Sequence, residues 1–405
     1  MERQWGRSRP PIACRVSPWN TYSVKAVYYL LTTLLFLTMA CGEGSTKADP
    51  DLCSCDPGCV ADTGCCDPVR GACPEVVPLS EDDLFARALV TQLAYQDTQQ
   101  QTPRYFQTQW NKLGRQTQQA FLSGGPSEIN SQLKKIFEEI QYRLTEGVQF
   151  LNLDDKQYRA LQMGMQKMGP GEPGKDYLVI SIRGTDPNED ENLKLDIEVI
   201  LNTKDIMEPP GIEGSRVLKG PYETFLKTFK EPIEKVVQSH PGRDVYVLGH
   251  SLGGPVAAYA AQHLVGYPGV KTVSLYTYNS FRPGNYAFAR WLNLRLAENV
   301  RHVTDKDVIS AVPPKIEAWK PRHTGFLYRT NIEFDKKKGA DMREYNSVRY
   351  LETQDLGYVD PGNRNGLELL LEEGWNKASL AHRFFVFGTD VETTRPTKEN
   401  IPFLQ

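Results

Sequence analysis

One stretch of the sequence constrains the fold more than any other. Residues 245–248 are apolar or aromatic, the next five read Gly-His-Ser-Leu-Gly, and residues 255–261 are rich in alanine. A strand that ends in Gly-x-Ser-x-Gly and leads directly into a helix is typical of a nucleophile elbow. Glycine is needed on both sides of Ser251, because a Cβ at Gly249 or Gly253 would clash where the strand and the helix pass. The pattern predicts that Ser251 Oγ lies at a helix N-terminus, where developing negative charge is favoured.

Strands and helices alternate along the chain on both sides of this elbow. Further strands are predicted at 157–168, 177–183, 272–278 and 300–304, and helices at 80–90, 127–144, 221–238 and 285–297. Such alternation indicates an α/β fold in which helices flank a mostly parallel central sheet. We expect this main domain to occupy residues 79–405.

Cysteines are confined to the N-terminal part of the chain. All eight lie in the first 73 residues, and six of them stand between Cys53 and Cys73. This density predicts a disulfide-rich module in an oxidising compartment. Zinc binding is the alternative, which the lack of paired C-x-x-C arms and of a nearby histidine disfavours. The spacing C-x-C-D-x-x-C-x5-C-C-x6-C resembles the second half of a somatomedin-B-like module, which implies a binding or spacer element whose partner is unknown.

Residues 1–41 have the layout of an export signal. Basic residues precede the apolar run 26–40, and small residues follow it. Cleavage after Ala40 would release a secreted protein. Residues 37–42 also resemble a bacterial lipoprotein signal, which implies lipidation of Cys41 and membrane attachment, with the outer membrane as one location. A retained membrane anchor is a third interpretation, although the run is short for a span. Residues 42–52 are predicted to be a linker.

A serine nucleophile needs a base that takes its proton, and that base needs an orienting acid. With this elbow, the expected chain order is serine, then acid, then histidine. Elimination among the six histidines leaves His323 and His382, and the later one is favoured because it follows a whole further stretch of chain. His250 is set aside as structural because successive side chains diverge on a turn. Asp305 and Asp307 both follow the next strand, and position alone does not separate them.

From residue 79 onward the chain resembles the class 3 (fungal-type) lipase family. Each of five segments, in order, is similar to a motif of that family. The matches are residues 181–185 with the "FRGT/S" oxyanion strand, 249–254 with the "GHSLGG" elbow, 276–285 with "TFGxPRxGN", 307–314 with the "DxVxxxPP" acid loop, and 382–385 with the terminal "HxxYF".

The resemblance implies an α/β-hydrolase fold and a carboxylic ester hydrolase of the triacylglycerol lipase type, which works through an acyl-enzyme. It selects Asp307 and His382 as the partners of Ser251. It also implies an oxyanion hole formed by the Leu252 N–H and by Thr185. No metal or cofactor is expected. A formal net charge of −3 argues against nucleic acid, so the expected partner is a lipid or another ester substrate.

The segment after the oxyanion strand departs from what the resemblance implies. In the family this segment is a lid whose apolar face meets lipid, whereas residues 186–192 are acidic and contain no aromatic side chain. We therefore predict a hydrophilic lid and weak interfacial activation. The alternatives are a phospholipase A1 or a feruloyl-type esterase, since the same triad serves all of them, and a catalytically silent lipase-fold binding protein.

Overall fold

The computed structural model describes part of the chain, within one compact unit that spans Asp51–Gln405. The described residues are 79, 81–95, 126–139, 141–154, 158–168, 173–184, 206–307, 309–313, 319–334, 348–357 and 382. The predicted signal, linker and cysteine-rich module lie outside them, as do Thr185 and the acidic lid segment. Of the helices within these ranges, none is long and apolar enough to cross a membrane.

The described strands form two sheets. In chain order they are β1 (Tyr142–Phe150), β2 (Ala160–Met168), β3 (Pro173–Ile182), β4 (Ile206–Met207), β5 (Val217–Leu218), β6 (Arg243–His250), β7 (Val270–Tyr278), β8 (Gly284–Asn285), β9 (Glu298–Thr304), β10 (Pro321–Arg322), β11 (Phe326–Phe334) and β12 (Val348–Gly357). The large sheet has the order β1-β2-β3-β6-β7-β9-β11-β12, and the small one β10-β8-β5-β4. Strands β3, β6, β7, β9 and β11 are parallel to their neighbours within this run, and antiparallel strands complete both edges.

The helices cover this sheet. They are α1 (Glu81–Leu93), α2 (Pro126–Glu139), α3 (Lys219–Thr224), α4 (Lys230–Ser239), α5 (Gly253–Leu264) and α6 (Tyr286–Arg295), with a π-helical turn at Phe225–Phe229 and a 3-10 turn at Ile309–Ala311. Side chains alternate between the two faces of β6: Tyr246 and Leu248 pack in one apolar cluster, Val245 and Val247 in the other. The predicted α/β-hydrolase architecture, a mostly parallel sheet flanked by helices, is confirmed.

One predicted helix extends too far. The periodicity favoured a helix over 127–144, but α2 ends at Glu139 and Tyr142 begins β1. Gln141 has a φ of 59°, a left-handed conformation that a helix does not continue through. Leu144 then pairs with Met165 across an antiparallel ladder. Its apolar side chain fits either pattern, so periodicity could not locate the reversal.

A buried cation lies between α1 and the sheet. The guanidinium carbon of Arg87 is 5.0 Å from the ring centroid of Tyr246 and 4.4 Å from that of Tyr276. Its Nη2 donates to the Tyr246 hydroxyl over 3.2 Å and lies 3.7 Å from a carboxylate oxygen of Glu298. Aromatic faces and a nearby carboxylate are the surroundings in which a buried guanidinium is stabilised.

His302, in β9, is stacked between two tyrosine rings. Its ring centroid is 4.9 Å from that of Tyr278 and 5.2 Å from that of Tyr328. Burial, reinforced by the charge of Arg87, lowers the pKa of His302 from 6.5 to about 3. The folded protein therefore keeps this imidazole neutral in mildly acidic solution, while the unfolded chain binds a proton there.

This difference predicts acid-dependent stability. A folded pKa below the unfolded value contributes stability that is fully present above pH 6.5 and is lost as the pH falls toward 3. His302→Phe keeps a ring between the two tyrosines and removes the titration. We expect the fall in unfolding free energy between about pH 7 and about pH 5 to be smaller in the variant by about 2 kcal/mol. Urea unfolding at both pH values measures it, and an unchanged pH dependence would contradict it.

Candidate active site

The elbow has the backbone that its sequence predicts. β6 ends at His250 and α5 begins at Gly253, so the turn between them consists of Ser251 and Leu252 alone. Ser251 has a φ of 55°, a left-handed conformation that non-glycine residues rarely adopt. A Cβ on Gly249 would overlap the Gly253 carbonyl oxygen, and one on Gly253 would overlap the carbonyl oxygen of Ile182. The close packing predicted for both glycines is confirmed.

Three predicted residues lie in one hydrogen-bonded chain. His382 Nε2 is 2.8 Å from Ser251 Oγ, and His382 Nδ1 is 3.0 Å from Asp307 Oδ1. Because a carboxylate oxygen accepts, Nδ1 carries the proton that is donated to Asp307, and Nε2 of the neutral ring accepts from the serine hydroxyl. All three side chains are buried. The arrangement can remove the hydroxyl proton as the oxygen attacks an electrophile.

The acid loop holds the Asp307 carboxylate from the main chain. Asp307 Oδ1 accepts from the Ile309 N–H over 2.9 Å, and Oδ2 accepts from the Ser310 N–H over 3.1 Å. Both bonds stabilise the ionised carboxylate that faces the imidazole. Asp305 is also buried, but it is Asp307 that contacts His382.

A buried arginine supports the same loop. Arg282 Nη1 donates to the Pro313 carbonyl over 2.8 Å and also to the Ala311 carbonyl, while the Arg282 N–H donates to the Val312 carbonyl over 2.9 Å. Three consecutive carbonyls are thereby tied to one residue. Arg282 therefore stabilises the conformation of the acid loop.

Of the five other histidines, four have different surroundings from His382. His323 Nε2 is 2.7 Å from the Ser310 carbonyl, so this residue packs against the acid loop without replacing His382. The His263 and His240 rings contact Glu234 and Glu146, each at 2.8 Å. His302 lies within β9, as predicted.

His250 has a contact that the sequence did not suggest. Its Nε2 lies 3.0 Å from the main-chain oxygen of His382, and its Nδ1 lies 2.5 Å from the hydroxyl of Tyr95. The Tyr95 hydroxyl also accepts from the Gly184 N–H over 2.9 Å. Since a carbonyl only accepts, Nε2 carries the proton and Nδ1 accepts from Tyr95. Tyr95, two residues beyond the end of α1, thus connects Gly184, which lies just after β3, with His250.

The predicted oxyanion residues are only partly within the described ranges. Leu252 is the N-cap residue of α5, so its N–H belongs to the start of that helix, where unpaired N–H groups gather. Thr185 lies outside the described residues. Its neighbour Gly184 is next to Ser251, because a Cβ built on Gly184 would lie 2.7 Å from Ser251 Cβ.

The fold and the site together place a buried serine, in one hydrogen-bonded chain with a histidine and an aspartate, on an α/β-hydrolase scaffold. Residues 179–317 match the family model described as Lipase (class 3). This segment, which holds the elbow and the acid loop, belongs to the class 3 lipase family, as the motifs indicated. His382 lies beyond the matched range.

Several characterised proteins are similar to parts of the chain. A lipase of Rhizopus niveus is 26% identical over 151 residues, which cover 35% of this chain and 38% of the relative. The secreted mono- and diacylglycerol lipase A of Penicillium cyclopium is 37% identical over 93 residues, or 22% of this chain and 28% of the relative. The chain thus spans well under half the length of these curated relatives. The structure of a Rhizomucor miehei triacylglyceride lipase aligns over 56% of this chain and 77% of that one, with 22% identity and a TM-score of 0.39.

Proposed function

We propose that this chain is a serine hydrolase that cleaves carboxylic esters of lipids. The observation that carries the proposal is the continuous hydrogen-bonded chain from Ser251 Oγ through His382 to Asp307. Residues this far apart in sequence meet with donors and acceptors in the order that general-base activation of a serine needs.

The reaction follows from these positions. Ser251 Oγ attacks the ester carbonyl carbon while His382 Nε2 takes the hydroxyl proton, and Asp307 stabilises the imidazolium. The negative oxygen of the tetrahedral intermediate is bound by the Leu252 N–H and by Thr185, which follows Gly184. Collapse of the intermediate releases the alcohol, protonated by His382, and leaves an acyl-enzyme. Water activated by the same imidazole then releases the acid.

The substrate class is the finer part of the proposal. The relatives carry the names lipase and mono- and diacylglycerol lipase, which favours acylglycerols over phospholipids or feruloyl esters. One relative is named as secreted, and the N-terminal export-type segment fits the same location. We propose that the protein acts outside the cytoplasm. Lipidation of Cys41 stays a prediction from the sequence.

An ester series tests the activity and the substrate class. The exported full chain and its Ser251→Ala variant are given p-nitrophenyl esters from acetate to palmitate, then triacylglycerol, phosphatidylcholine and a feruloyl ester. We expect serine-dependent turnover that extends to acylglycerols. Preference for phosphatidylcholine or the feruloyl ester would move the chain to the alternative esterase classes. If wild type and variant are equally inert on every ester, the chain is a silent lipase-fold binding protein.

The acidic lid segment predicts how the rate depends on substrate aggregation. Residues 186–192 contain Asp186, Glu189, Asp190 and Glu191 and no aromatic side chain, so we expect little attraction to a lipid surface. The rate on a short triacylglycerol should rise smoothly through the solubility limit of the substrate. A steep increase once the substrate separates as droplets would show that the lid responds to an interface after all.

A further inference from the structure

A fourth side chain, Asn279, connects the segments that carry the three triad residues. It follows β7 directly and is fully buried. Its Nδ2 donates to the main-chain oxygen of His382 over 2.8 Å and to Thr304 Oγ1 over 3.0 Å, while its Oδ1 accepts from the Thr304 N–H over 2.8 Å. We propose that Asn279 is a positioning residue that holds the main chain of His382 against the end of β9, from which the acid loop starts.

The orientation of the amide is fixed by its neighbours. A main-chain N–H can only donate and a main-chain carbonyl can only accept, so the oxygen must face Thr304 and the NH₂ group must face His382. Both protons of that group and the oxygen are used. No other orientation of the amide satisfies these partners, and a carboxylate at this position would place two acceptors opposite each other.

The same residue is linked to the other two segments through the main chain. The Asn279 N–H donates to the His302 carbonyl in β9 over 2.9 Å, and the carbonyl of the preceding Tyr278 accepts from the Ser251 N–H over 3.1 Å. The acid loop is in turn closed by the Asp307 N–H, which donates to the Thr304 carbonyl over 3.0 Å. The segments that carry the serine, the acid and the histidine are therefore all connected by hydrogen bonds to the end of β7, directly or through Thr304.

The backbone explains which residues can stand at this position. Asn279 has a φ of 44°, which lies in the left-handed region. Glycine adopts this region most readily, and asparagine is among the few other residues that tolerate it. The class 3 motif that residues 276–285 resemble has glycine at the matching place. Asparagine accepts the same backbone conformation and adds an amide that reaches His382. The His382 carbonyl thus has two side-chain donors, the amide of Asn279 and Nε2 of His250.

The expected consequence concerns the rate and not substrate binding. The imidazole must accept from Ser251 and donate to Asp307 at once, and a shift of about 1 Å in such a group can cost up to about 100-fold in rate. Asn279→Gly keeps the φ permitted and removes the whole side chain, including its amide. We expect kcat to fall about 10- to 100-fold with KM changed by less than about twofold. Asn279→Asp keeps the acceptor for Thr304 but turns the His382 contact into repulsion, so its loss should be at least as large.

Another buried asparagine provides the matched control. Asn293 Oδ1, on α6, accepts from the Asn299 amide, the Thr324 hydroxyl and the Gly325 N–H. Asn293→Asp makes the same exchange of amide for carboxylate at a buried site and keeps those bonds. It should alter stability but leave kcat as in the wild type.

The proposal rests on the proposed hydrolase function only for its kinetic test, and proton NMR of the full chain tests it without a substrate. The His382 proton that bridges to Asp307 should give a far-downfield resonance, which Asn279→Gly should shift or lose to exchange and Asn293→Asp should retain. Wild-type kcat and an unchanged resonance in both Asn279 variants would overturn the proposal. If the wild type is inert on every ester, the hydrolase proposal fails and the resonance still decides the role of Asn279. If Asn279→Asp does not fold, the glycine variant decides alone.

Discussion

Replacing Ser251 with alanine is expected to lower kcat by about 10⁴- to 10⁶-fold on any ester that the wild type cleaves. The variant loses the attacking oxygen, and the alanine side chain offers no other nucleophilic atom at this position. Ser251 is buried at the junction of β6 and α5, and its left-handed φ is what aims Oγ at His382. Alanine has the same Cβ, so the elbow, the hydrogen bonds of the acid loop and substrate binding should persist.

Burst kinetics with a p-nitrophenyl ester and a binding measurement with a non-hydrolysable ether analogue check this prediction. The variant should bind the analogue with wild-type affinity and show neither burst nor turnover. Ser280→Ala is a suitable control, because Ser280 is a buried serine that follows β7 and donates to the carbonyl of Phe281. Substantial turnover in Ser251→Ala would assign the nucleophile to another group.

Replacing His382 with alanine is expected to cost nearly as much, about 10⁴- to 10⁶-fold in kcat. Without the imidazole, the serine proton has no acceptor, and the Asp307 carboxylate faces a cavity in place of its partner. The two losses should not add, because the residues act as a unit. The variant with both Ser251→Ala and His382→Ala should therefore retain the activity of either single variant within about tenfold.

A comparison with His323→Ala separates this role from general disturbance near the acid loop. His323 is also buried and also bonded to this loop, through the Ser310 carbonyl, so its loss should reduce stability with little effect on kcat. An equal fall in kcat in both variants would mean that any disturbance near the acid loop lowers the rate, and that the contact of His382 with Ser251 is not what matters.

Local sequence was enough to predict the parts of the site that local geometry determines. The elbow is such a part, because a Cβ on Gly249 would overlap the start of α5 and a Cβ on Gly253 would overlap the end of β3. The alternation of strands and helices likewise predicted the parallel centre of the sheet. Asp307 and Asp305, only two residues apart, were not separable by position and needed the motif of the resembling family.

The contacts that hold His382 could not be read from the sequence. Asn279 and His250 reach its carbonyl across 103 and 132 positions of the chain. Asn279 follows β7 and His250 is the last residue of β6, and the apolar pattern of each strand is recognisable without them. No proline or glycine stands between the end of α2 and the start of β1 to mark the boundary. The chain passes from helix to strand there through the left-handed residue Gln141. Strand β11 and the edge strand β12 were also missed: they pair antiparallel, with register shifts between Leu327 and Tyr328 and between Asn331 and Ile332.

Covalent labelling tests the central claim, activation of Ser251 by His382 and Asp307, most directly. The full chain is treated with diethyl p-nitrophenyl phosphate, release of nitrophenol is counted, and the modified peptide is sequenced by mass spectrometry. We predict one equivalent of release, a diethyl phosphoryl group on Ser251, and a labelling rate that falls steeply in His382→Ala. Absence of labelling in a folded protein, or a label on another residue at an equal rate in His382→Ala, would contradict the account.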